Sequence, residues 1–412
     1  MTEKMKPSGI ACIGDIPQDW EIKRLKYACK QITDGSHFSP DTVDDGKVYI
    51  TVTDLYGDAI HTETAKRIAP SDFAVLVRNG CQPKKGDVLL SKDGTVGRSA
   101  IVDSNNDYVV LSSIGILTPG VSLLSRFLKY NLDGIHMQEQ MLRAMDGSAL
   151  KRITISKIAE FFAVIPPMKA QKEIADFLDT QCAKIDSVIA DIEKQIETLQ
   201  KYKKSLITET VTKGLDRSVP MKDSGVDWIG RIPSTWDAKR MKYFLSVASG
   251  DAITNDQLED GDYPVFGGGK QMGWSNKYNV PENTILIGRV GANCGCVSIT
   301  PKEAWATDNA LIVSTNSYVK YVYYILIAAD LNKLNDANAQ PLITGAKVGN
   351  CVVPYTYKYE EQKQIADFLD SACSKIDEVL ALKQQQLSKM QQHKKSLIYE
   401  YVTGKKRVTE VN

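Results

Sequence analysis

Two stretches of this chain occur twice, and they frame segments that do not match. Residues 6–27 (KPSGIACIGDIPQDWEIKRLKY) return as 222–243 (KDSGVDWIGRIPSTWDAKRMKY), identical at 12 of 22 positions. Residues 171–212 return as 362–403, identical at 24 of 42. The first pair is offset by 216 residues and the second by 191, so the first enclosed segment is 25 residues longer. A chain of 412 residues with this pattern holds two equivalent units. A duplicated frame around divergent inserts reads as one scaffold presenting two reading heads of different specificity.

The second repeat predicts long helices. Leu178, Ile185, Ile192, Leu199 and Leu206 fall at seven-residue intervals, and Ile174, Gln181, Val188, Gln195 and Tyr202 supply the alternating row of a heptad seam. The second copy keeps the register at Leu369, Ile376, Met390 and Leu397, with Lys383 interrupting. No Gly or Pro occurs before Gly214 and Gly404, where helices commonly stop. Each helix should run about 36 residues or more, roughly 54 Å. Neither is apolar enough to be buried alone. The expected partner of each is the other copy, packed antiparallel about a twofold; pairing with another subunit is the alternative.

The inserts, about 28–165 and 244–357, carry short β-rich runs at 47–53, 87–91, 108–112, 284–287 and 310–314. Helices are expected at 123–131, 134–145 and 319–334. The fold class is α+β, without the regular alternation of a doubly wound sheet. The expected division is a first recognition domain (1–170), a helix (171–212), a linker (213–225), a second domain (226–361) and a second helix (362–403). Lys+Arg (51) nearly cancels Asp+Glu (50), so any basic surface is local. Eight cysteines without a CxxC pair, and four scattered histidines, argue against a zinc site and fit a reducing cytoplasm. Neither a signal peptide nor an apolar run long enough for a membrane span is evident.

The inserts correspond faintly at 86–97 (GDVLLSKDGTVG) and 283–294 (NTILIGRVGANC). Each is a strand running into a Gly-containing loop led by a cation, Lys92 or Arg289. Glycine lets backbone amides approach a phosphate, and the cation can meet a phosphate or a guanine edge. The candidate contacts in the first insert are Ser36 and His37 of an Asp-Gly-Ser-His turn, with Ser91, Lys92, Arg98, Lys151 and Arg152. In the second they are Gly268, Lys270, Arg289, Asn293 and Lys347. Turns with solvated charges are the plainer reading of each, and a surface histidine that of His37. The run at 263–270 (YPVFGGGK) is not a Walker loop, because Gln271 follows the lysine. Trp20 and Trp236, equivalent in the first repeat, are expected core anchors. No methyltransferase tetrad, GxGxxG after a strand or Ser-His-Asp set is present, so the chain reads as non-catalytic, with no cofactor or metal of its own.

The paired motifs IGDIPQDWEIKRLKY and IGRIPSTWDAKRMKY, the helices opening QKEIADFLD and QKQIADFLD, and the GDVLLSKDG and NTILIGRVG loops resemble the specificity subunits of type I restriction–modification systems. The resemblance covers essentially the whole chain. It departs at 355–358, where the second half lacks the Pro-Pro of Pro166-Pro167. It implies two target-recognition domains, each reading one half of a bipartite double-stranded DNA sequence, held apart by two antiparallel helices acting as a ruler. It further implies two docked modification subunits that bind S-adenosylmethionine and transfer the methyl group. Two restriction subunits using ATP and Mg join where the system has them. The rival reading is a coiled-coil adaptor whose two domains bind protein.

Overall fold

The two heptad stretches fold as helices, Met168–Lys213 of 46 residues and Tyr359–Val402 of 44. The structure is a computed structural model that describes residues 4–104, 107–145, 151–253, 258, 261–334 and 342–408. The chain divides into two compact units, one of residues 1–192 with 385–412 and the other of 193–384. The division cuts across both long helices, so each unit owns a part of each, whereas the sequence suggested whole helices as separate segments.

In the first unit Phe177 stacks near Tyr401, with centroids 4.4 Å apart, and Asp186 pairs with Lys394 at 2.8 Å. Position rises on one helix as it falls on the other, so the pair is antiparallel. In the second unit Lys203 pairs with Asp377 at 2.6 Å. Asp377 is the repeat counterpart of Asp186, and Lys394 that of Lys203, each 191 residues away. One ion pair is thus made twice, once in each unit, with the helices exchanging roles.

The seam differs from the expected one most in its second row, and Leu199 and Leu206 of the first row are only half-buried. Ile174, Leu178, Ile185 and Ile192 are buried as predicted, but Cys182 is buried in place of Gln181, and Val188 and Tyr202 are exposed. Below Ile192 the buried row passes to Ile207 and Val211. Each aliphatic side chain so buried contributes about 1.5–3 kcal/mol.

Each insert is built on the same two sheets. In the first, four antiparallel strands run in the order Ser99–Ile101, Val88–Ser91, Ile114–Pro119 and Cys29–Asp34. A three-stranded sheet orders Tyr108–Val110, Thr42–Ile50 and Lys66–Ile68, its first pair parallel. In the second, the orders are Val297–Ile299, Ile285–Gly288, Ala310–Thr315 and Leu245–Ser249, then Trp305–Ala306, Tyr263–Gly267 and Lys270–Ser275, again with the first pair of the smaller sheet parallel. The predicted helices form at Ser125–Asp133, Ile135–Ala144 and Val319–Ala328. Among the described residues, only the first insert carries the helix Pro70–Arg78 and the hairpin of Leu55–Tyr56 with Ala59–Ile60.

That hairpin reaches the helix pair of its own unit. Asp58, at φ +62°, lies 3.0 Å from Lys394 and 3.4 Å from Lys129. Burial alone would lower the Lys394 pKa, but Asp186 and Asp58 outweigh it and raise it.

The frame repeats closely. Gln171 Oε1 accepts from Leu124 N at 2.9 Å, and Gln362 Oε1 from Tyr318 N at 2.9 Å. Tyr130 donates to Asp179 at 2.6 Å and Tyr324 to Asp370 at 2.7 Å. Trp20 and Trp236 are fully buried, as expected of anchors. Each faces the glycine that ends a long helix: Gly404 (φ +72°) lies against Trp20 and Gly214 (φ +69°) against Trp236. A Cβ on Gly404 would meet Pro17 Cδ at 2.4 Å, so this position needs glycine for space as well as for its dihedral. No helix among the described residues is long and apolar enough to cross a membrane.

Candidate nucleic-acid interface

In the first insert, the ends of three strands bring most of the candidates together. Cys29–Asp34 ends in Asp34-Gly35-Ser36, where a Cβ on Gly35 would sit 2.0 Å from the Val110 carbonyl oxygen. Ser36 is buried; its Oγ accepts from Phe38 N at 3.1 Å and its N donates to Val110 O at 2.9 Å, so its role here is to shape the turn. Beside it, Val88–Ser91 enters the loop that Lys92 leads. Ser91 closes that loop, its Oγ accepting from Arg98 N at 2.8 Å and donating to Thr95 O. Lys92 is buried, and its side chain is only 5% exposed. Its ammonium lies 3.3 Å from Asp34 and 3.7 Å from Asp93. The same carboxylates face two exposed side chains, His37 Nε2 at 3.2 Å from Asp34 and Arg152 Nε at 3.4 Å from Asp93. Lys151 is exposed, and its carbonyl accepts from Gly94 N at 2.9 Å. Arg98 is exposed and donates to Leu55 O at 3.0 Å.

The second insert repeats the scaffold with other side chains. Ile285–Gly288 enters the loop led by Arg289. The turn at Gly267-Gly268-Gly269 packs on this loop: a Cβ on Gly288 would lie 2.5 Å from Gly268 O, and one on Gly269 would lie 2.9 Å from Cys296 O. Gly268 (φ +60°) therefore serves close backbone approach, and exposed Lys270 leaves the turn beside the loop. Asn293 lies in the short 3-10 turn Gly291–Asn293, its carbonyl accepting from Cys296 N at 3.0 Å. Arg289 is partly buried; Nη1 donates to Ser249 Oγ at 3.3 Å, and Nε is buried without a hydrogen-bond partner among the described residues. Lys347 sits on Gly345–Asn350 and donates to Leu334 O at 3.1 Å, much as Lys157 donates to Ala144 O at 3.0 Å in the first insert. Both lysines tie a short Thr-capped helix to the end of the preceding one.

The sequence reading missed the groups that face the two cations, Asp34 and Asp93 on one side and Ser249 on the other. A signal for them exists: Asp-Gly-Ser at 34–36 and Ser-Gly-Asp at 249–251 occupy the same turn. A cleft of about 540 Å³ in the second unit, lined in part by Lys239, Lys242, Tyr243 and Tyr357, contains none of the candidates. Its lining includes Leu245, the other end of the strand that finishes at Ser249 beside Arg289.

Comparison with known proteins agrees with this duplicated arrangement. The type I restriction enzyme MjaVIII specificity subunit of Methanocaldococcus jannaschii is 24% identical over 96% of this chain and 95% of its own. The EcoprrI specificity subunit of Escherichia coli is 26% identical over 38% of each chain. A solved chain, from work on complex assembly and conformational transition of the type I R-M system, covers 94% of this chain and 99% of its own, at a TM-score of 0.64 and 13% identity, which speaks to the fold alone. The type I restriction modification DNA specificity domain matches twice, over residues 17–198 and 233–403. With the matches falling on both halves of the repeat, the chain belongs to the type I restriction–modification DNA specificity family.

Proposed function

We propose that this chain selects the DNA sequence on which a type I restriction–modification complex acts, each insert reading one half of a bipartite target. The observation that carries the reading is the pair of equivalent loop clusters, set on strand ends of identical sheet order but furnished with different side chains. A shared scaffold with divergent loops is what two half-sites of different sequence demand. The paired helices fix the number of unspecified base pairs between the half-sites and dock two modification subunits, which bring S-adenosylmethionine and the methyl-transfer chemistry. Restriction subunits, where the system has them, bring ATP and Mg. The near balance of acidic and basic residues fits this division of labour, because the other subunits share the phosphate contacts.

The test is a head exchange in the complex assembled with its modification subunits. Methylated positions are mapped by sequencing, first for the original complex and then with residues 28–165 replaced by the equivalent insert of a relative. One half of the target should change, while the other half and the gap stay as they were. The chain without modification subunits should methylate nothing. Both halves changing together, or methylation by the chain alone, would overturn the reading.

A further inference from the structure

The two loop cations occupy the same place in the two inserts. Lys92 N donates to Ser113 O at 2.8 Å, and Arg289 N to Asn309 O at 3.0 Å. The carbonyl of each accepts from a distant backbone amide, Ile153 N at 2.8 Å and Ile343 N at 2.9 Å. The residues that follow form matching bridges, Asp93 with Arg152 and Val290 with Leu342. The facing turns match as well, Gly35 N donating to Ile114 O at 3.2 Å and Gly250 N to Ala310 O at 3.1 Å. Asp34 and Asp93 of the first insert therefore stand where the second has Ser249 and Val290.

That exchange changes what the cation can do. In the first insert two carboxylates hold the buried Lys92, and Asp93 also faces Arg152, so these two cations are compensated within the cluster. In the second insert Arg289 makes no ion pair among the described residues. Asp251, at the place of Ser36, is turned to Asn279 Nδ2 at 2.9 Å. Among the described residues the Arg289 side chain keeps one hydrogen bond, to a neutral hydroxyl, and a buried Nε with none. A guanidinium is a rigid fork of five donors, suited to a pair of acceptors such as guanine N7 and O6.

Resting on the DNA-recognition reading above, we infer that Arg289 is a specificity-determining residue of the second half-site that reads a guanine edge, and that the Asp34–Asp93 pair withdraws the equivalent cation from DNA in the first. The two heads differ here by the presence of a carboxylate clamp rather than by the cation itself.

The experiment uses the complex assembled with its modification subunits, once its methylated target is mapped. Fluorescence anisotropy is measured on the cognate duplex and on duplexes changed singly along each half-site, at several salt concentrations. Arg289→Gln should reduce discrimination roughly tenfold or more at one guanine of the second half-site, leaving the first half-site as an internal control. Arg289→Lys, which keeps the charge without the fork, should lose the same discrimination while retaining affinity for unrelated DNA. Ser249→Asp, which installs the clamp of the first insert, should reproduce the Arg289→Gln result with the arginine still present. A uniform loss on all sequences, with the salt slope smaller by about one, would make Arg289 a phosphate contact and overturn the base reading. Wild-type discrimination in all three variants would remove the loop from the interface while leaving the DNA-recognition reading intact. Failure of the unmodified complex to bind its own methylated site would instead sink that reading.

Discussion

Trp20→Ala is expected to destabilise the first unit by about 3–5 kcal/mol, and Trp236→Ala to do the same to the second. Both indoles are fully buried, and each closes its unit by packing on the helix-ending glycine, Gly404 or Gly214. Hydrogen exchange resolved by peptide is the measurement: each substitution should accelerate exchange in the frame and helix segments of its own unit. The two sites separate further with phenylalanine. Trp236 Nε1 donates to Glu361 Oε1 at 3.1 Å, whereas Trp20 Nε1 is buried with no hydrogen-bond partner among the described residues. Trp236→Phe should therefore cost about 1 kcal/mol more than Trp20→Phe, because Glu361 loses its indole donor and keeps only Thr356 among the described residues. Equal costs for the two would show that the indole hydrogen bond contributes nothing to this anchor.

Acid should weaken the first unit before it touches the second through any histidine, because residues 193–384 contain none. His136 is fully buried, with Nε2 3.4 Å from Asn131 Oδ1 and Nδ1 without a partner among the described residues. Burial, reinforced by the nearby charge of Lys405, pushes its pKa down from 6.5 to about 4. For a base with a depressed folded pKa, the unfolded chain takes up the proton first. The stability tied to His136 is therefore intact above pH 6.5 and is lost as pH falls from there through about 4. The loss is about 2 kcal/mol by pH 5, before most carboxylates titrate. Urea unfolding of the chain at pH 7, 6 and 5 should show this slope in the first unit, and His136→Gln should flatten it. A slope unchanged in His136→Gln would place the acid sensitivity elsewhere.

The repeats and the long helices were legible because their signals are local: a repeated string needs no partner to be seen, and a heptad is read along one segment. The second row of the seam was not legible. Leu178 to Ile185 can be bridged by either Gln181 or Cys182 at allowed three- and four-residue steps, and only the facing helix decides for Cys182. The strands of the inserts were found where their apolar runs are strongest, at Val88–Ser91 and Ile285–Gly288, and missed where only two or three residues pair, as at Trp305–Ala306. The short capped helices Ile155–Ala159 and Gly345–Asn350 offer too few turns for a periodicity. The loop cations were visible from the strand-glycine pattern. Their partners were not, because Asp34 and Ser249 lie on strands tens of residues upstream, and the sheet alone brings them opposite Lys92 and Arg289.

The division of the chain also dictates an order of events during synthesis. The second unit is one continuous stretch, 193–384, and can close as soon as it leaves the ribosome. The first unit, begun earlier, must wait for its share of the last helix, including the Gly404 that seats on Trp20. At about 5–20 residues per second, that wait is on the order of ten to forty seconds. Throughout it, the apolar faces of Trp20, Leu178 and Phe177 lack the strip that covers them. The half made first is the half finished last, and a newborn chain stalled between the two is where chaperones and proteases would find it.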